Sequence, residues 1–274
     1  MKNFFYTFIL LQLLTFQSHS QTIEMNGTII DSETKNPIEF VNIGILNRNK
    51  GTISNLKGKF DLSGSKKFSN DSLTISHVSY YTVKIPIKGF KNQMISLKPK
   101  ANELSEVIVS NKKLKNKKIG VKSYSRLLSM RVVSKDNDIV EAAQRINIPS
   151  EEIKVKAVNF AIRKWSEVDG VKIRINFYEN IDNVPQNKIV LKNIVAELPN
   201  QKDSDWIRID LNDKDIYISQ DFFIGIEFIP NFEKPTIVDL GGILTKGKGY
   251  SRENSLGNWS KLNGGASINV EIEY

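Results

Sequence analysis

Period-two alternation is the constraint that narrows the fold of this chain most. Val171, Ile173, Ile175 and Phe177 are separated one by one by Lys172, Arg174 and Asn176, as in a strand with one face in a core and the other turned outward. The pattern recurs at Phe60 and Leu62, at Leu73 and Ile75 with His77 on the same side, at Val83, Ile85 and Ile87, and at Ile268, Val270 and Ile272. Turn-forming residues fall between the runs, at Asp31–Asn36, Asn47–Gly51, Asn55–Gly58 and Asp169–Gly170. Short strands at this spacing predict an all-β chain of antiparallel sheets rather than a parallel α/β sheet. Phe222–Phe228 is too apolar for an edge strand and is read as central. Only Ile139–Ile146, through Val140, Ala142 and Ala143, fits a short helix, ending at Asn147 ahead of Pro149.

The first twenty residues have another character. Lys2 precedes an apolar run from Phe4 to Leu14, and Ser18-His19-Ser20 follows. A charged start, an apolar middle too short to span a bilayer and small residues at the end are the layout of a secretory signal, so residues 1–20 are read as a signal peptide cut after Ser20. The expected location is outside the cytoplasm: periplasm, outer-membrane surface or secreted. With no cysteine in the chain there is no disulfide framework and no lipidated cysteine, and no later segment is apolar enough to cross a membrane as a helix.

The 274 residues less that leader suffice for two domains by the usual domain sizes. The net charge of +9 is uneven, because Lys112, Lys113, Lys115, Lys117, Lys118 and Lys122 crowd one segment. Without interleaved aromatic residues to stack on bases, nucleic acid is not expected as a partner. Residues 111–122 are read instead as a self-repelling linker between a domain at 21–110 and a second at 123–274. Whether the lysines also grip anionic envelope components stays open.

Residues 24–110 carry an ordered set of short motifs: Gly27 in the first strand, Pro37 before a Val/Ile-rich strand, Gly51-Thr52, the turn Gly58-Lys59-Phe60, and Leu104-Ser105-Glu106-Val107-Ile108-Val109. In this order they resemble the carboxypeptidase-like regulatory domain, a small module common on exported proteins of Bacteroidetes-type bacteria. One departure is Ser79, where that family usually has Gly before the aromatic residue matched by Tyr80. The resemblance implies a small Greek-key, prealbumin-like β-sandwich. The same module often precedes the plug of outer-membrane receptors, but the residues after Ser110 are too few for a plug and a barrel. The rest of the chain is expected to form a second antiparallel sandwich, of which a jelly roll is one form. Its Asp221-Phe222-Phe223-Ile224-Gly225-Ile226-Glu227 stretch resembles the C-terminal domain that accompanies this module in many such proteins.

Zinc peptidases hold their metal with two histidines and a glutamate. Beyond the leader the chain has His77 alone, so that site cannot be assembled and no catalytic residue is assigned. A Ser-His pair with Ser76 or Ser79 is disfavoured, since sequence neighbours on a strand point to opposite faces. Most of the carboxylate pairs Glu151/Glu152, Asp203/Asp205, Asp213/Asp215 and Glu271/Glu273 sit among turn residues. Asp210–Asp215 lacks the glycine and terminal glutamate of an EF-hand loop. No cofactor is expected, with a structural calcium between loops left open. Trp165, Trp206 and Trp259 are the ligand candidates, because pyranose rings present a flat C–H surface to an indole. Trp206 is read as core. Trp259 lies in the Gly/Ser/Asn-rich 247–265, read as a long exposed loop or a binding loop, and is the speculative ligand-binding residue. The expected function is non-catalytic binding or scaffolding at the envelope, with a glycan or another envelope protein as partner. The alternative is a carbohydrate-binding protein using Trp259, and a hydrolase built on a carboxylate pair ranks last.

Overall fold

The computed structural model describes residues 22–100, 114–134, 137–199, 205–232, 236–244 and 248–274. The leader 1–20, the Glu106–Val109 end of the regulatory motif, Lys112, Lys113 and Asp203 lie outside them. Among the described residues, no helix is long and apolar enough to cross a membrane.

The first seven strands are β1 (Thr22–Asp31), β2 (Asn42–Ile45), β3 (Lys50–Ile53), β4 (Lys59–Ser65), β5 (Ser72–Ser76), β6 (Val83–Pro86) and β7 (Gln93–Leu97). They form two sheets, ordered β4-β1-β7 and β3-β2-β5-β6. β7 joins β1 in parallel, whereas the other pairings are antiparallel. The inward sets, Met25 and Ile29 from β1, Phe60 and Leu62 from β4, Ile43 and Ile45 from β2 and Leu73 and Ile75 from β5, close one apolar core. This is the small sandwich expected from the alternation.

The second sandwich uses β8 (Asn116–Gly120), β9 (Ser129–Ser134), β10 (Val140–Ile146), β11 (Ile153–Ala161), β12 (Lys172–Ile181), β13 (Val184–Lys188), β14 (Ile194–Glu197), β15 (Trp206–Asp210), β16 (Ile216–Ile218), β17 (Phe222–Ile229), β18 (Thr236–Ile243), β19 (Gly249–Arg252), β20 (Ser260–Lys261), β21 (Gly265–Ala266) and β22 (Ile268–Glu273). One sheet runs β13-β12-β17-β10-β19-β20 with β14 beside β12, and another runs β15-β11-β22-β8 with β16 beside β11. A third, β21-β18-β9, closes one side. Ile173, Ile175, Phe177, Phe222, Ile224, Ile226 and Phe228 meet Val158, Phe160, Ile268 and Val270 in a single large core. As expected, β17 is central, between β12 and β10.

Three sequence expectations need correction. Ile139–Ile146 is no helix: Val140–Ile146 is strand β10, with Ala142 and Ala143 on opposite faces. Small alanines between sheets fit a strand as well as a helix, and the period there is two. The 111–122 segment is no free linker throughout, because Asn116–Gly120 pairs with β22 and Lys115 exchanges backbone hydrogen bonds with Tyr274. Ile119 and Val121 are buried, and Lys118 meets Glu271 at 3.2 Å. The apolar residues every second position, hidden among lysines, set the second domain's start near residue 116 rather than 123. Finally, 247–265 is not one long loop, since β19 and β20 lie within it.

Candidate functional site between the two sandwiches

The polar face of β12 does not meet water. Arg174, Asn176 and Tyr178 are as buried as the Ile173, Ile175 and Phe177 that alternate with them, because the first sandwich and the segment after β19 lie across that face. Arg174 is 1% exposed. Its Nη1 meets Glu227 Oε1 at 3.1 Å and its Nη2 donates to the carbonyl of Phe40 in the first sandwich. Asn176 Nδ2 donates to both Glu227 Oε2 and Glu141 Oε1, each at 2.8 Å. Glu141 also accepts from the Tyr178 hydroxyl at 2.8 Å and Arg252 Nε at 2.8 Å. Both carboxylates are fully buried. Gly225, between them on β17, leaves the room they need: a Cβ there would lie 2.4 Å from Glu141 Oε1 and 2.9 Å from the Tyr178 ring.

Charges taken out of water survive only when paired and hydrogen-bonded, and the titration behaviour follows. Burial alone would raise the Glu227 carboxyl, but Arg174, Lys188 and Arg252 together hold it below the ordinary carboxylate value. Burial raises the Tyr178 hydroxyl well above the usual phenol range. Burial brings the Lys188 ammonium down to about 8. His77 of the first sandwich is pushed down to about 3, first by burial and then by the facing Arg174 and Lys188 cations. Its Nδ1 accepts from the Ser79 backbone N–H at 3.2 Å and its ring stands edge-on to Tyr80. His77 is thus a neutral packing residue in the domain contact.

Around this layer the sandwiches interlock. Phe40 and Ile53 of the first pack with Ile139 and Ile229 of the second. Phe40 holds a φ of 55°, a left-handed conformation costly for a bulky side chain and retained where surroundings enforce it. Gly44 and Gly51, opposite each other on β2 and β3, form a bare patch on which the Ser255 carbonyl rests. A Cβ at either would stand 2.7 or 2.6 Å from that oxygen. This gives the Gly51-Thr52 motif a physical reason, and Thr52 Oγ1 donates to the Asn137 carbonyl at 3.1 Å. Asp138 anchors the segment by accepting from Ser255 N–H at 2.8 Å, and burial raises its carboxyl.

Beside the interlock the two domains leave a cleft of about 740 Å³. Lys50, Asp61 and Ser63 line it from the first sandwich, and Arg131, Asp138 and Glu253 from the second. It is polar and holds both signs of charge.

The sequence candidates are dispersed. Trp259 is half-buried against Tyr178 and Phe223, with the Arg252 guanidinium 4.6 Å over its ring and Tyr178 at its edge. Trp206 opens β15 half-exposed, tilted against Tyr124. Trp165 is 61% exposed. Of the carboxylate pairs, Asp213 and Asp215 bind Lys214 and Lys154, while Glu271 and Glu273 bind Arg208 and Lys156. Asp205 accepts from the Tyr124 hydroxyl and the Lys164 backbone N–H, and Glu152 accepts from Ser219. No group of three His, Cys, Asp or Glu side chains is placed to hold a metal ion among the described residues. The convergent carboxylates are Glu141 and Glu227, which sequence reasoning missed by assigning the polar face of β12 to solvent. The available signal was Glu227 itself, a carboxylate inside a strand already read as central.

Residues 25–109 match the family model of the CarboxypepD_reg-like domain, and the first sandwich is such a domain. No curated protein matches the chain. Among solved structures, the cysteine protease and lectin-like domains of Cwp84, a surface layer associated protein of Clostridium difficile, align at 12% identity with a TM-score of 0.40, over 85% of this chain and 58% of that one. A structure of the infectious bursal disease virus Gt strain aligns at 11% identity and 0.28, over 92% of this chain and 58% of that one. The chain thus spans under two thirds of either structure, and neither likeness is close enough to bear on function.

Proposed function

We propose that this chain is an exported, non-catalytic binding protein of the cell envelope, in the periplasm or at the surface, whose CarboxypepD_reg-like domain is fused to a second sandwich to hold a polar ligand between them. The observation that carries the reading is the cleft lined from both domains beside an interface packed around Phe40, Ile53, Ile139 and Ile229. A ligand seated there meets groups from both sandwiches already fixed in place, so little ordering remains to oppose binding. Export is supported by the Lys2, Phe4–Leu14 and Ser18–Ser20 pattern. The non-catalytic reading is supported by Glu141 and Glu227, whose oxygens are committed to guanidinium, amide and hydroxyl donors in a layer closed to solvent. A sugar seat at Trp259 draws less support, since that ring is half-buried between Arg252 and Tyr178.

The test is a screen of the mature chain against a glycan array and a tiled array of envelope-protein peptides, repeated with an Asp61→Lys/Glu253→Lys variant. Both side chains sit on the cleft surface, so unfolding should be unchanged. The reading expects a binder that the variant loses. A binder retained by the variant, or no binder on either array, overturns the cleft as the seat.

A further inference from the structure

We infer that the cleft takes a neutral oligosaccharide and that Trp165, rather than Trp259, is the platform on which one sugar ring stacks; the inference rests on the cleft reading above. Trp165 follows β11 on a turn that is tied down at several points. The Arg163 backbone N–H donates to the Asp239 carbonyl at 2.9 Å, Ser166 N–H donates to the Arg163 carbonyl at 2.9 Å, and Asp239 N–H donates to Ser166 Oγ at 2.9 Å. The indole is fixed as well. Its Nε1–H donates to Asp239 Oδ2 at 2.9 Å, and the Arg163 guanidinium lies 4.5 Å over its ring. Arg163 is itself held on the Tyr124 ring at 4.8 Å and is 5% exposed. One indole face is therefore covered and one edge bonded, while the residue as a whole stays 61% exposed.

An exposed tryptophan held so firmly loses little freedom when something settles on it. Its position joins it to the cleft. The Asp239 carboxylate that accepts from Trp165 also accepts from Arg131, Nη2 to Oδ2 at 3.2 Å and Nε to Oδ1 at 3.3 Å. Arg131 in turn lines the cleft. A ligand longer than one ring can lie on Trp165 and reach past Arg131 towards Asp61 and Glu253.

Charge selects the ligand class. A cation stacking on Trp165 would meet Arg163 and Arg131 close by, and an anion in the cleft would meet Asp61, Asp138 and Glu253. A neutral, polyhydroxylated chain opposes neither set. Its C–H face suits the negative face of the indole, and its vicinal hydroxyls suit the paired acceptors of a carboxylate and the forked donors of an arginine.

The experiment is titration calorimetry of the mature chain with neutral gluco-, manno-, xylo- and galacto-oligosaccharides. Wild type is compared with Trp165→Ala, Trp165→Tyr, Trp259→Ala and the Asp61→Lys/Glu253→Lys variant, each checked for an unshifted unfolding midpoint. We expect an oligosaccharide whose affinity falls about tenfold or more in Trp165→Ala, the scale of losing one aromatic stack. The affinity should be largely restored in Trp165→Tyr, which keeps a ring without depending on the Asp239 bond, and unaltered in Trp259→Ala. Should Trp165→Ala itself fail to fold, Trp165→Tyr against Trp165→Gln gives the same contrast. An oligosaccharide lost in the cleft variant but untouched by Trp165→Ala overturns the platform and leaves the cleft standing. Peptide binding lost in the cleft variant, with no sugar bound, overturns the ligand class alone. Loss in Trp259→Ala with Trp165→Ala silent moves the platform back to Trp259. No dependence on the cleft variant overturns both readings.

Discussion

Glu227→Ala is expected to lower the unfolding free energy by about 3–5 kcal/mol, because it strands the Arg174 guanidinium, 1% exposed, without its carboxylate. The cost comes from the buried charge left behind, not from the bond alone. An Arg174→Met/Glu227→Leu double variant removes both charges and should recover most of the loss. It should not recover all of it, since the Phe40 carbonyl would lose its Arg174 donor, at about 1–3 kcal/mol. Urea unfolding of the three proteins checks this. A single variant costing under about 1 kcal/mol would show that losing Glu227 does not strand a buried charge at Arg174.

Acid is expected to weaken the protein well before ordinary carboxylates titrate. The His77 imidazole is held down to about 3 in the fold, against a usual 6.5, first by burial and then by Arg174 and Lys188. Between those values the unfolded chain binds a proton that the folded chain refuses, so stability rises with pH across that window. The contribution is complete above about pH 6.5 and is lost progressively as pH falls towards 3. At about 1.4 kcal/mol for each tenfold change in proton affinity, its upper limit is about 5 kcal/mol. Glu227, held below its ordinary value, adds a loss of the same sign at lower pH. Asp138, whose carboxyl burial raises, works the other way and blunts the slope. Urea midpoints followed between about pH 7 and pH 4 should fall in the parent and flatten in His77→Gln. A His77→Gln variant with the parental slope would place the acid sensitivity elsewhere.

The fold was legible because its signal is local. Alternation at Phe60 and Leu62, at Ile173–Phe177 and at Ile268–Ile272 names the inward face of each strand, and the Gly58-Lys59-Phe60 turn marks where the chain bends into β4. What misled was identity without neighbours. Lysines at 117 and 118 made a paired strand look like a linker, and alanines at 142 and 143 made a central strand look helical. The site was harder to read for a deeper reason. Arg174 and Asn176 look like the outward face of one strand, and only a second domain laid across the sheet makes them interior. That contact links Phe40 to Arg174 and Asn42 to Ser255, separations that no local pattern encodes. Trp165 and Trp259 each carry an arginine against the ring, Arg163 and Arg252, and only exposure, 61% for Trp165 against a half-buried Trp259, tells them apart.

The central claim is that the two sandwiches behave as one body presenting one cleft, and the molecule carries its own reporters for it. All three tryptophans lie in the second sandwich, while His77 lies in the first. Urea unfolding followed in parallel by tryptophan fluorescence and by the His77 imidazole proton resonances tests the claim most directly. Superimposable transitions with one midpoint are expected, as two-state unfolding of a single cooperative unit requires. A His77 transition separated from the fluorescence transition would show that the sandwiches unfold independently, and would contradict the locked interface on which the cleft depends.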